Sequence, residues 1–312
     1  MGYDVVGSGY VSMDHMIKIS SPAQVGYTSI VTNADNGEIY YGGCAVNVCA
    51  ALGKLGFRAA PILRVGYDFE SNGFKSFLET SNVCLDGVSR IENEITSACY
   101  LVQDNRNDHI TLYYPGSMDR KYANDIPDNF FQDTKYGLIT VASRDDNRYF
   151  LNKCKKYNVP IVFGMKDDFD AFPVAFLKEI LMESSIVFMN EAERDIILKL
   201  FGCSTITELF KIGKARVVVV TLGKEGSICY EKTETDVLEY KLGICSVSHV
   251  VDATGAGDAY ISGFLYGMLK NRKIRDCCAL GAALSSFVLS AVGACTCLPK
   301  EEELEEKAKE LN

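Results

Sequence analysis

Histidine is scarce in this chain: 312 residues contain three. The 12 cysteines include no C-x-x-C pair, and Cys295-Thr296-Cys297 is too closely spaced for an ordinary zinc pair. A zinc site is therefore not expected. The cysteines sit in apolar segments, as at Cys49, Cys99 and Cys277, and read as reduced thiols acting as small buried residues. Positive charge is also short. Thirty-two Lys and Arg against 41 Asp and Glu leave a net charge of −9, which argues against a nucleic-acid surface. No apolar run approaches a membrane span: the most apolar region, 279–292, is interrupted by Gly281, Ser285, Ser286 and Ser290. The first strand pattern follows at Tyr3 without a basic or leader-like run before it. A soluble, cytoplasmic protein with no membrane partner is expected.

Three catalytic signatures are missing as well. There is no G-x-x-x-x-G-K-[ST] loop, no Gly-rich loop paired with H-R-D, and no G-x-S-x-G elbow. A phosphate-handling chain of this kind would follow neither common nucleotide-binding plan. Composition is otherwise that of a globular protein, 47% hydrophobic and 23% charged, with ample length for a large core.

What is present centres on residues 250–262. An apolar stretch, Val247 to Val251, reads as a strand that runs into a turn of tiny residues, Gly255-Ala256-Gly257. A helix follows, with Ile261, Phe264, Leu265 and Met268 at i, i+3, i+4, i+7. Residues this small let a ligand touch the backbone. Amides at a helix start lack partners and carry the positive end of the dipole, so they suit an anion. Asp258 stands at that end as an ionised carboxylate able to take a proton. An anion cradle beside a base is what phosphoryl transfer to a hydroxyl needs. A tight turn with Asp258 as a dipole-matched first-turn residue fits the same local pattern.

Elsewhere, residues 3–9 read as a buried strand ending in Gly7-Ser8-Gly9. A dinucleotide reading of it lacks the third glycine and the later acidic residue. Asp14 follows that strand end, where open α/β sheets bind ligands, and is a candidate for holding substrate hydroxyls. Short antiparallel strands are expected at 17–19, 29–31 and 38–40, and a hairpin at 97–114 around the turn 104–108. Together they would form a small lid that excludes water. Gly42-Gly43 permits close ligand approach before an apolar helix that Gly56 ends; Asn47, one turn in, offers both a donor and an acceptor. From 136 onward the rhythm is regular. Strands are expected at 136–141, 159–163, 185–189 and 215–221, with helices at 146–157, 173–182, 191–201 and 205–212. This alternation implies a parallel sheet covered on both faces. Asn190 with Glu193 reads as a capping box, and Thr221-Leu222-Gly223 as a glycine-bracketed turn into a hairpin. Helices are expected at 276–291 and at Glu301–Leu311. Gly263 and Gly267 would let the helix at Asp258 pack closely on a neighbour.

The order and spacing of Gly42-Gly43-x-x-x-Asn47, Asn190-x-x-Glu193, Thr221-x-Gly223-x-x-Gly226 and Asp252-x-Thr254-Gly255-Ala256-Gly257-Asp258 resemble the PfkB (ribokinase-like) carbohydrate kinase family over about residues 3–300. Tyr40-Tyr41-Gly42-Gly43, Val65-Gly66-Tyr67-Asp68 and Gly293 to Pro299 look most like its archaeal-type nucleoside kinases. The resemblance implies a single α/β kinase domain over 1–312. Its mainly parallel central sheet would be flanked by helices in three layers, with a β lid from about 12–41 and 97–115.

By the same resemblance, Asp258 matches the general base, and Gly255, Ala256 and Gly257 match the anion hole for the γ-phosphoryl group. Asp14, Gly42, Gly43 and Asn47 match positions that hold sugar or ribose hydroxyls. Asn190 and Glu193 match the motif that organises Mg2+ and phosphates through water, and Thr221, Gly223 and Gly226 match the nucleotide-binding turn. Asp252 and Thr254 match the K+ site of many members, where the serine often found near position 297 is here Cys297, a poor K+ ligand. Gly164 stands where many relatives carry Asp; Lys166 nearby could supply charge, and Arg144 could read part of the substrate.

The expected activity is ATP-dependent phosphorylation of a hydroxyl, taken as primary, of a small sugar or nucleoside, with Mg2+. The exposed lid edges suggest a homodimer. Two rivals remain at this point: a catalytically silent sugar or nucleoside sensor on the same fold, and a nicotinamide-linked oxidoreductase resting on Gly7-Ser8-Gly9.

Overall fold

A computed structural model describes residues 2–106 and 108–311; Asn107, in the expected hairpin turn, lies outside them. The N-terminal part runs β1 (Val5–Ser8), β2 (Ser12–Lys18), β3 (Tyr40–Gly42), α1 (Cys44–Lys54), β4 (Ala59–Val65), α2 (Phe74–Thr80), β5 (Val88–Arg90), β6 (Ala98–Gln103) and β7 (His109–Tyr114). Strand–helix alternation follows: β8 (Tyr136–Ile139), α3 (Arg144–Tyr157), β9 (Ile161–Gly164), α4 (Val174–Glu183), β10 (Ser184–Asn190), α5 (Glu191–Phe201), α6 (Leu209–Ile212) and β11 (Val217–Thr221). The chain ends with the hairpin β12 (Ser227–Lys232) and β13 (Val237–Leu242), then α7 (Ala256–Leu269), α8 (Ile274–Val288) and α9 (Glu301–Ala308).

Among the described residues the strands form two sheets. The larger has nine strands in the order β13-β12-β11-β10-β9-β8-β1-β4-β5. It is parallel from β5 to β11, and β12 and β13 add an antiparallel edge. The sequence explains this. β9, β10 and β11 are runs of β-branched and aromatic residues with no polar alternation, as strands covered on both faces require. Successive residues feed opposite cores. Val217 and Val219 pack with α1, α7 and α8, while Val218 and Val220 pack with α3 and α4 on the other side. α7 and α8 lie against each other where Gly263, Gly267 and Gly281 leave room; a Cβ at Gly263 would strike the Leu280 carbonyl.

The smaller sheet has the order β3-β2-β6-β7. Its β6–β7 hairpin is the expected one, but β2 pairs with β6 in parallel rather than antiparallel fashion. Of the expected strand at 29–31, only the bridge Ile19–Val31 forms.

Three further differences have physical causes. Val247–Val251 is not a strand: no strand pairs with it among the described residues, Val250 and Val251 are exposed, and one backbone bond ties it down, Val251 N to Leu289 O at 2.8 Å. Residues 59–90 hold β4, α2 and β5, which the periodicity did not announce; Pro61 and Arg64 interrupt β4, and α2 has only seven residues. The glycines of Gly7-Ser8-Gly9 are packing residues. A Cβ at Gly9 would collide with Thr140 Oγ1 and crowd Ala45, so they seat α1 rather than a pyrophosphate. All twelve cysteines are free. No helix of the described residues is long and apolar enough to cross a membrane.

Candidate active site

The C-terminal ends of β1, β8, β9, β10 and β11 lie along one edge of the large sheet, as the register pairs Ser8–Ile139, Ile139–Phe163, Phe188–Gly164 and Asn190–Thr221 require. Such an edge is where open α/β sheets place ligands. The start of α7 meets it there. Gly255 caps that helix at φ 77°, a conformation glycine adopts freely, and a Cβ would strike Ala294. Ala256 N is engaged by Ala253 O at 3.2 Å, whereas a Cβ at Gly257 would meet nothing within 4 Å. The helix start is therefore open at Gly257.

Asp258, in the first turn of α7, is 8% exposed. Its Oδ2 accepts from Asn47 Nδ2 at 2.7 Å, and Asn47, buried in α1, in turn accepts on Oδ1 from Cys295 Sγ at 3.4 Å. Burial pushes the Asp258 carboxyl above the usual range, while Lys166, Asn47 and Cys44 hold it down. Asp14, on β2, accepts from Ser12 Oγ. Burial, with a smaller push from Asp252, raises it to about 6 against the Ser12 bond. Gly42 and Gly43 bring β3 and α1 close to this carboxylate: a Cβ at Gly42 would stand 2.7 Å from Asp14 Oδ2, and Gly43 sits at φ 109° against the Tyr10 carbonyl.

These groups converge on a cavity of about 460 Å³ between the small sheet and the large one, walled by Asp14, Gly43, Asn47, Tyr113, Gly257 and Asp258. Cys44, Lys166, Gly257 and Asp258 also border a recess of about 80 Å³ that reaches Asn190, Glu193 and Thr221. The two compartments meet at Asp258. Beyond the ring pair Tyr10–Tyr113, whose centroids are 5.0 Å apart, lies a third space of about 520 Å³ with Arg144 at its rim.

Asn190 and Glu193 form the expected capping box, Glu193 N to Asn190 Oδ1 at 2.9 Å and Asn190 N to Glu193 Oε2 at 2.8 Å. Glu193 is nonetheless buried, and burial raises its carboxyl against the Asn190 amide and Lys166. Thr221 lies beside Asn190 on β11. Gly223 and Gly226 shape the turn after it, closed by Leu222 N to Gly226 O at 2.8 Å, and neither borders the two compartments. Asp252 binds two loops together. Oδ1 accepts from Thr254 N at 2.9 Å and Thr254 Oγ1 at 2.8 Å, and Oδ2 accepts from Gly293 N at 3.0 Å. Tyr10 and Cys44 were not singled out from the sequence. Tyr10 lies just past the end of β1, so the strand-end rule that marked Asp14 covers it too.

A three-layer α/β fold whose sheet edge meets a helix start and a buried aspartate defines a ribokinase-like phosphotransferase. The chain belongs to the pfkB family of carbohydrate kinases, whose profile matches residues 8–301. It is 27% identical over 302 residues to a nucleoside kinase of Methanocaldococcus jannaschii, covering 96% of this chain and 94% of that one. The crystal structure of a nucleoside kinase from M. jannaschii, an archaeal member of the ribokinase family, superimposes with a TM-score of 0.87 at 26% identity, over 99% of this chain and 100% of that one. A nucleoside kinase from Burkholderia thailandensis, in complex with inosine, shares the fold at a TM-score of 0.85 and 18% identity, over 98% of this chain and 96% of the other.

Proposed function

We propose that this protein transfers the γ-phosphoryl group of ATP to a primary hydroxyl of a nucleoside or small sugar, with Asp258 as general base. One observation carries the reading: Asp258 stands where the two compartments meet, oriented by Asn47. The acceptor fills the larger cavity, its vicinal hydroxyls on Asp14, Gly43 and Asn47. The phosphates enter through the recess, with the γ-phosphoryl group at the open amides by Gly257. The acceptor oxygen forms the bond to Pγ and the bond from Pγ to the β–γ bridging oxygen breaks. That electron pair leaves with ADP, and the acceptor proton passes to the Asp258 carboxylate. Positioning and electrostatics supply most of the acceleration in such transfers.

Glu193 suits hydrated Mg2+: the capping box engages Asn190 Oδ1 and Glu193 Oε2, and leaves Glu193 Oε1 as a hard oxygen at the recess. The ion would neutralise phosphate charge there. A K+ ion fits less well at Asp252 and Thr254. Both Asp252 oxygens are engaged and the Thr254 hydroxyl donates to one of them. We propose that this loop pair keeps its shape without a monovalent cation.

A nucleoside acceptor is favoured over a simple sugar by the full-length likeness to a nucleoside kinase and by the Tyr10–Tyr113 pair, whose rings would stack on a base. The four-stranded sheet serves as the lid of a single domain in the cytoplasm, and its outer face pairs two copies. The deciding experiment measures ADP release from ATP and Mg2+ over a panel of nucleosides and sugars. Turnover with at least one acceptor supports the kinase reading. Silence across the panel, with binding retained, would return the sensor.

A further inference from the structure

Lys166 follows the end of β9 by two residues. Gly164, the strand's last residue, has no room for a side chain, since a Cβ there would come within 2.9 Å of Ile261 Cδ1 on α7. Met165 is buried. Lys166 is thus the first side chain past β9 that extends freely into the cleft, and it is accessible to solvent there.

Its place is singular. Lys166 borders both the acceptor cavity and the phosphate recess, and among the described residues no other Lys or Arg lines either compartment. Three carboxylates share the same space: Asp14, Glu193 and Asp258. Cys44, then Asp258 and Glu193, hold the Lys166 ammonium above its ordinary range against the cost of desolvation. Among the described residues it forms no ion pair with these carboxylates. The chain has a net charge of −9, and a triphosphate adds more negative charge to a cleft already holding three acids. The helix start offers only about half an elementary charge. A full positive charge at the junction is what transfer from recess to acceptor cavity requires, because negative charge spreads over the phosphoryl oxygens in the transition state.

We propose that Lys166 is a catalytic residue: its Nζ donates to an oxygen of the γ-phosphoryl group as that group passes from ADP to the acceptor. The proposal rests on the kinase reading for the direction of transfer, and on the geometry alone for contact with the γ-phosphate. Lys166 donates a hydrogen bond and gives up no proton, so the proton balance remains with Asp258.

The test compares the wild-type full chain with Lys166→Met and Lys166→Arg, all with Mg2+. Calorimetric titration with the non-hydrolysable γ-bearing analogue AMP-PNP, and separately with ADP, reads contact with the γ-phosphate. Lys166→Met is expected to weaken AMP-PNP by about tenfold and ADP by less than about twofold. Turnover with ATP and the best acceptor should fall about 10²–10³-fold, as when one transition-state donor is removed, and Lys166→Arg should restore part of it. The loss should persist at high pH. Equal effects on the two nucleotides would overturn the proposal. So would turnover recovering at high pH, which would mean that Lys166 acts only by keeping Asp258 ionised. Should wild type phosphorylate no acceptor, the kinase reading fails by itself, and the AMP-PNP and ADP comparison still decides the contact.

Discussion

Asn47 and Asp258, 211 positions apart in the chain, are joined by a 2.7 Å hydrogen bond from Asn47 Nδ2 to Asp258 Oδ2. The bond ties the first turn of α1 to the first turn of α7, and it favours the charged form of a carboxylate that burial disfavours. Asp258→Asn is therefore expected to lower turnover by about 10²–10⁴-fold while leaving ATP affinity within error. Asn47→Leu removes the donor, so the Asp258 carboxyl should rise further. The acid limb of the pH–rate profile should then move to higher pH, with activity recovering as pH rises. A profile that keeps its wild-type acid limb in Asn47→Leu would separate Asn47 from the base.

Asp14 makes the opposite trade. Its carboxyl is raised to about 6, chiefly by burial, so the folded protein holds a proton there that the unfolded chain has released. A carboxylate raised on folding costs stability when ionised. The cost is full above the folded value of about 6 and gone below the unfolded value near 3.8. Asp14→Asn should then melt higher than wild type at pH 8, by about 2–4 °C for each kcal/mol relieved. The gain should shrink as pH falls through 6 and vanish near 4. The same variant should raise KM for the acceptor. Paired melting curves at these pH values check the first claim, and initial rates check the second.

The parts legible in the sequence were those where one physical requirement dominates. β9 to β11 are buried on both faces and so show unbroken β-branched runs; α5 begins with a capping box that needs only Asn190 and Glu193. Asp258, Asn47 and Asp14 were legible as candidates because each sits at a helix start or strand end. β4 was hidden because it must also carry Arg64, a buried cation that reads as a surface residue. The stretch at Val247–Val251 has strand composition but reaches no sheet edge among the described residues, and composition alone does not supply a partner. Lys166 carried a local signal, its place after β9. Its isolation, among the described residues, as the cation of both compartments came only when five strand ends were brought to one edge.

Arg64 anchors the segment that follows β7. Its guanidinium grips Asp146 at 2.6 and 2.9 Å and donates from Nε to the Ser117 carbonyl at 2.9 Å, with Arg64 itself 5% exposed. Arg64→Met would leave the part-buried Asp146 with Ser143 Oγ as its side-chain donor and take the Arg64 donor from the Ser117 carbonyl, at a cost of about 3 kcal/mol. Replacing both partners, as Arg64→Met with Asp146→Leu, should recover most of that loss, because no buried charge then remains. Urea unfolding of the three proteins measures the difference. A double variant no more stable than Arg64→Met would place the loss in packing instead.

At Asp252 the expected outcome is indifference to the cation. Its two oxygens hold Thr254 and Gly293 directly, so the loop beneath Gly255 is expected to keep its shape without K+. Exchanging K+ for tetramethylammonium at constant ionic strength should change turnover by less than about twofold, since hard oxygen ligands are short here. Asp252→Asn, by contrast, weakens the tie to Gly293 and should lower turnover in either salt. Strong K+ activation of the wild type would reverse this reading.

The four-stranded sheet has two unlike faces. Alternation along β6 and β7 turns Cys99, Thr111 and Tyr113 toward the 460 Å³ cavity, and leaves Tyr100, Ile110, Leu112 and Tyr114 exposed on the other side. Exposed apolar residues clustered on one face of a sheet mark a contact surface. Leu112 pairs directly with Tyr100 across the strands and sits at the middle of the patch. Leu112→Lys, pointing away from the cavity, should therefore abolish self-association without touching the site. Light scattering is expected to show a dimer for wild type and a monomer for the variant. Because each lid would be steadied by its partner, the variant should also show a raised KM for the acceptor with ATP affinity unchanged. A wild type that is monomeric at working concentration would leave the patch without its partner copy and remove the coupling between assembly and acceptor binding.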